Sequence, residues 1–136
     1  MKDKHLDDLI KYRMQRSHES YDEAVLMKNE SHWNTCANRL YYACFYAALA
    51  LLEKHKLSSS KHSGVKSFFN RHFVKTGKIS KEHGKLYNSL FDSRHEGDYM
   101  DFVYFDAETV EPWFPKVKDF ISTISNIVGH DAEKKR

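Results

Sequence analysis

Two arginines stand where the surrounding sequence is apolar. Arg39 opens the run Leu40 to Leu52 and shares a helical side with Tyr42 and Tyr46 by three- and four-residue spacing. Arg94 continues a row that passes through Leu86 and Leu90. A guanidinium stays charged at any ordinary pH, so at an apolar-facing position it needs a carboxylate or a phosphate. Asp98, just past Gly97, is the acid expected to meet Arg94, with Asp101 next. Two arrangements follow. In the first, an Arg–Asp clasp is completed by the Tyr42 and Tyr99 hydroxyls and serves folding. In the second, Arg39, Arg94 and His62 form a polar pocket for a nucleotide or RNA phosphate, and Tyr41, Tyr42 or Tyr99 stacks on a base. A ligand that competes for the arginines opens the clasp, so the two are compatible.

His62 lies just before Ser63-Gly64, at the start of an expected helix, where an anion is favoured and an imidazole can donate or move a proton. The alternative is a histidine that only hydrogen-bonds the backbone. The adjacent pairs Arg71-His72 and Arg94-His95 diverge on a helix and make poor dyads. His62 with His72, or His83 with the acids, lacks metal-ligand spacing, and there is neither a glycine-rich phosphate loop nor a nucleophile elbow. No metal and no cofactor are expected. Cys36 and Cys44 would be about 12 Å apart on a helix, beyond disulfide reach, and read as buried thiols of a reducing compartment.

The elements that must hold these groups are helices. The chain has 136 residues, 40% of them hydrophobic and 14% aromatic, with five Gly and two Pro, which excludes a disordered chain and a turn-rich β sandwich. Leu6, Ile10, Met14, Tyr21, Ala24 and Val25 share one face of a helix ending near Asn29. Ser31 is positioned to cap the next helix, from about Trp33 to about Lys54, which is apolar nearly all round and therefore central. A third helix carries Val65, Phe68, Phe69 and Phe73 and stops before Thr76-Gly77, with Gly77 as a left-handed turn residue. Ser80 caps a fourth, with Leu86, Tyr87, Leu90 and Phe91 inward and Gly97 as its stop. The last carries Val110, Trp113, Phe114 and the apolar residues on to Val128, and is regular from near Pro112 or kinked there. These spacings predict an all-α fold, an antiparallel up-and-down bundle of four to five helices in a single domain over 1–136. No apolar segment reaches the roughly 20 residues of a membrane span, and no signal core precedes the first helix, so a cytoplasmic protein is expected.

The net charge of +3 conceals a separation. Residues 54–85 carry nine Lys/Arg, four His and one acid, Glu82; residues 92–111 carry seven acids and one base, Arg94. Such runs are either solvated faces or a basic ridge that meets phosphate.

The stretch Asn38-Arg39-Leu40-Tyr41-Tyr42-Ala43-Cys44-Phe45-Tyr46-Ala47-Ala48 resembles the signature helix of the HEPN family. Lys61-His62-Ser63-Gly64-Val65, Phe73-Val74-Lys75-Thr76-Gly77, and Arg94 followed by Gly97-Asp98-Tyr99 fit that family in the same order. The resemblance implies a helical bundle, commonly a homodimer, often paired with a small nucleotidyltransferase in a toxin–antitoxin or related stress system. Many such proteins are metal-independent endoribonucleases that use an Arg followed, after four to six residues, by a His. Here the positions after Arg94 are Tyr99, Met100 and Asp101, and those after Arg39 are Cys44, Phe45 and Tyr46. Arg13 and His18 meet the spacing formally, but in the first helix, away from the motif. The expectation is a nucleotide-, RNA- or partner-binding module. Its alternatives are a divergent ribonuclease using Arg94 with His62 or His95, and a ligand-free dimeric scaffold.

Overall fold

Two long helices joined by a three-residue turn form the first half of the chain: α1 (Lys4–Asn29) and α2 (Trp33–Lys54). The computed structural model describes residues 4–99 and 104–129, with 95–99 described by their helical backbone alone. Ile10, Met14, Ser17 and Ala24 are buried on one face of α1 at three- and four-residue steps. Opposite them α2 offers Cys36, Ala43, Ala47 and Ala50, so the two backbones approach closely. The gap is sealed by polar links to the backbone. Ser17 Oγ donates to the Ala43 carbonyl at 2.6 Å, and Cys36 Sγ to the Ala24 carbonyl at 3.4 Å.

The third helix, α3 (His62–Phe69), passes into a single π turn, Asn70–Val74. Then follow α4 (Lys81–Tyr99), the short α5 (Ala107–Val110) and α6 (Trp113–Val128). Ser80 caps α4 as expected, its hydroxyl accepting from the His83 amide at 3.2 Å. Gly77 takes φ +84°, the left-handed turn conformation read for it. α6 begins after Pro112, and Pro115 falls in its first turn, where a backbone donor would have no helical partner. α2 is the central element, against which α1, α3, α4 and α6 all pack. Tyr41, Tyr87, Phe69 and Phe120 fill the space between α2, α3, α4 and α6. The protein is all-α and folded as a helical bundle, with no strand among the described residues.

Two boundary expectations are corrected. Ser31 does not cap α2; the N-cap is His32, with no side-chain bond. Ser31 instead adopts φ +59° and closes α1, its amide donating to the Lys28 carbonyl while the His32 amide reaches Met27. This is the paired bonding of a left-handed helix terminus. Lys56, at φ +60°, ends α2 in the same way, through its own amide to Glu53 and that of Leu57 to Leu52. Nor does Gly97 stop α4, which runs through it to Tyr99. An interior glycine costs a helix only about 1 kcal/mol, too little to end one that α2 supports.

Candidate functional site

The central helix carries Arg39, Tyr41 and Tyr42 within one turn, and α3 and α4 bring His62 and Arg94 to them. Arg39, nearly two turns into α2, donates from Nη1 to Glu23 Oε1 of α1 at 2.9 Å, and from Nε and Nη2 to Asn38 Oδ1 at 3.1 and 2.9 Å. Its guanidinium carbon lies 5.0 Å from the Tyr42 ring centre. Arg94 comes to the same ring from α4, at 5.4 Å, and stands 5.3 Å from the ring of Tyr41. One tyrosine face region thus gathers two permanent cations, an arrangement that favours an anion nearby.

Tyr41 is fully buried and joins this pair to His62, its hydroxyl 2.9 Å from Nδ1. Burial pushes the Tyr41 phenol above its usual range, and the Arg94 charge opposes that rise. The phenol stays neutral and donates to Nδ1 in the tautomer that carries the imidazole proton on Nε2. The His62 ring stacks on Phe45 with centres 4.2 Å apart. It is the first residue of α3, and the turn before it is tight: a Cβ on Gly64 would collide with the Ser59 side chain. A cavity of about 260 Å³ adjoins the cluster, lined by Asn34, Thr35, Asn38, Ser93, Arg94 and Phe105. The Phe105 amide donates to Asn34 Oδ1 at 2.8 Å, which ties the segment before α5 to the start of α2.

Arg39, Tyr42, His62 and Arg94 are therefore brought together as the sequence suggested, with Tyr41 as the link. Arg39 pairs with Glu23, while the expected clasp of Arg94 with Asp98 or Asp101 falls outside the described residues, as does the Tyr99 side chain. Glu23 and Asn38 were not foreseen. Glu23 belongs to the polar side of the first helix, sixteen residues upstream, and only the α1–α2 turn brings it across. Arg13, the formal partner of His18, is held instead by Glu53, with Nε 3.2 and 3.3 Å from the two carboxylate oxygens. Burial raises the Glu53 carboxyl, and Arg13 lowers it. Cys36 and Cys44 are buried free thiols, and burial pushes both above the ordinary thiol range. Among the described residues no three His, Cys, Asp or Glu side chains converge to hold a metal, and no helix is long and apolar enough to cross a membrane.

Comparison with known proteins identifies the family. The HEPN domain profile matches residues 10–127. A UPF0332 protein of Thermotoga maritima is 43% identical over 122 residues, covering 90% of this chain and 92% of its own length. A protein of Methanocaldococcus jannaschii, provisionally named a toxin, is 26% identical over 98 residues, 72% of this chain and 67% of that one. A UPF0332 protein of Gloeobacter violaceus is 35% identical over 89 residues, 63% of this chain and 68% of that one.

Proposed function

This chain belongs to the HEPN family, and from that premise we propose that it is an RNA-binding module, with the site at Arg39, Tyr42, His62 and Arg94. The observation that carries the reading is the meeting of Arg39 and Arg94 at the Tyr42 ring, beside a cavity that Arg94 lines. A ring face orients a guanidinium without neutralising its charge, which draws a phosphate, and Tyr42 offers a surface for a base. The Arg39–Glu23 pair is half-exposed, so a phosphate can displace the carboxylate at little cost.

The module works as a single domain over 1–136 and as a homodimer, together with a nucleotidyltransferase partner, in a toxin–antitoxin-like or stress system of the cytoplasm. The family and the toxin-named relative support that setting. Fluorescence anisotropy with a labelled single-stranded RNA tests the binding site. Arg94→Ala is expected to weaken binding at least tenfold with an unchanged circular dichroism spectrum. Wild-type affinity in that variant removes the site. Pull-down from the native host should recover a nucleotidyltransferase; repeated recovery of the chain alone counts against the partnership.

One observation favours a second reading, a divergent metal-independent endoribonuclease. The Tyr41–His62 bond fixes an imidazole in the same cluster as Arg94, a combination suited to proton transfer beside a charged transition state. RNA cleavage in EDTA that is lost in both His62→Ala and Arg94→Ala supports it. Cleavage that is equal in wild type and both variants is contamination and sinks it.

A further inference from the structure

A second cationic feature lies outside the cluster described above, where the π turn after α3 packs against α4. An open groove of about 600 Å³ runs along this junction, lined by Lys66, Arg71 and Lys75 together with Ser67, Asn70 and Asn88. Three cations face it and no carboxylate lines it. Among the described residues none of the three makes an ion pair. Aromatic rings hold two of them instead: Lys66 Nζ stands 4.2 Å from the centre of Phe91, and the Arg71 guanidinium 5.6 Å from that of Phe68. A ring face orients a cation without neutralising it, so the positive potential of the groove is undiminished.

The groove is also built rather than incidental. Asn70 Nδ2 donates to the Lys66 carbonyl at 2.9 Å and to Asn88 Oδ1 at 3.0 Å, bridging the π turn to α4. At Gly84 the α4 backbone comes so near the turn that a Cβ there would meet Val74 at 3.0 Å. A π turn is an uncommon distortion that re-aims side chains, and here it places Arg71 on the exposed surface between two lysines. Lys66 and Lys75 are nine residues apart, about 13 Å along a helix at 1.5 Å per residue. That is a line of charge rather than a point.

We infer that this groove is a phosphate-tracking surface for the backbone of single-stranded RNA, separate from the Arg94 cluster. The inference rests on the RNA-binding reading and adds a second contact surface to it. A row of unpaired cations with interspersed amide and hydroxyl groups fits a flexible polyanion, and the half-buried Phe68, in edge contact with His72, adds an aromatic surface beside it.

The test uses the full chain and a fluorescein-labelled twelve-nucleotide uridine homopolymer, titrated from 50 to 300 mM salt. Each phosphate contact to a single strand contributes about 0.7 to the slope of log affinity against log salt. Lys66→Gln/Arg71→Gln/Lys75→Gln should lower that slope by about 2, while the charge-preserving variant Lys66→Arg/Arg71→Lys/Lys75→Arg keeps it. An unchanged slope in the glutamine triple overturns the groove, whatever Arg94→Ala does. A reduced slope in the triple, with wild-type binding in Arg94→Ala, keeps the groove and removes the cluster. Absence of RNA binding by the wild type removes both. Displacement of the RNA by polyglutamate at equal charge concentration overturns the choice of nucleic acid and assigns the groove to an acidic protein.

Discussion

Tyr42 shows how a single side chain can assemble a site. Its ring collects Arg39 from its own helix and Arg94 from α4, and both arginines are only partly buried. Arg39 keeps a quarter of its side chain exposed and Glu23 nearly half, so their ion pair contributes little to folding. Glu23→Gln is expected to change unfolding free energy by about 1 kcal/mol or less, measured by urea titration. A larger loss would restore the folding clasp that the apolar neighbourhood of Arg39 had suggested. At this scale the sequence was informative about which residues carry charge into the bundle, because arginine, tyrosine and histidine in a Leu/Ala-rich stretch are anomalies. It was silent about Glu23 and Asn38. An acid on the polar side of an amphipathic helix looks like any solvated acid until a partner helix is placed over it.

Helix ends account for most of what was misread among the elements. Ser31 looked like an N-cap because serine before an apolar run usually is one. The short turn instead required a left-handed residue to reverse the chain, and Ser31 occupied it. A non-glycine residue in that conformation costs roughly 1–2 kcal/mol, and glycine's extra freedom in the unfolded chain offsets about half of that. Ser31→Gly is therefore expected to stabilise the protein by about 0.5 kcal/mol, visible as a raised denaturant midpoint with unchanged slope. An unchanged or lowered midpoint would contradict that assignment. Where a signal concerned one local bond, as with Ser80 capping α4 or Gly77 in its turn, it was legible. Ser17 and Ser20 were missed as core positions because they are polar. Their small size suits a close α1–α2 contact, and the Ser17 hydroxyl is satisfied by the Ala43 carbonyl.

Across the whole molecule the aromatic centre sets the response to pH. Burial raises the phenols of Tyr41 and Tyr87 above their ordinary value of 10.0, and the Cys44 thiol above 9.0. The unfolded chain loses these protons first, so the stability they confer is complete below about pH 8 and falls as pH rises through 9 for the thiol and 10 for the phenols. Each such phenol steepens the loss by about 1.4 kcal/mol per pH unit. Urea midpoints between pH 8 and 11 should decline accordingly, and Tyr87→Phe should flatten the decline; a slope identical in wild type and variant would refute it. The α1–α2 hairpin has a different consequence, one of time. Its turn is three residues long and its seam is closed by side chains bonded to backbone. A hairpin closed by so short a turn forms early, whereas joining α4 to α2 closes a much longer loop. The hairpin is then the last unit to open in the native state, and the α3–α4 side, which holds His62, Arg94 and the cationic groove, opens first. Amide hydrogen exchange should show the slowest protons at Leu40 to Ala48 and faster ones from Val65 to Val74. RNA that binds as inferred would slow the second set and leave the first alone.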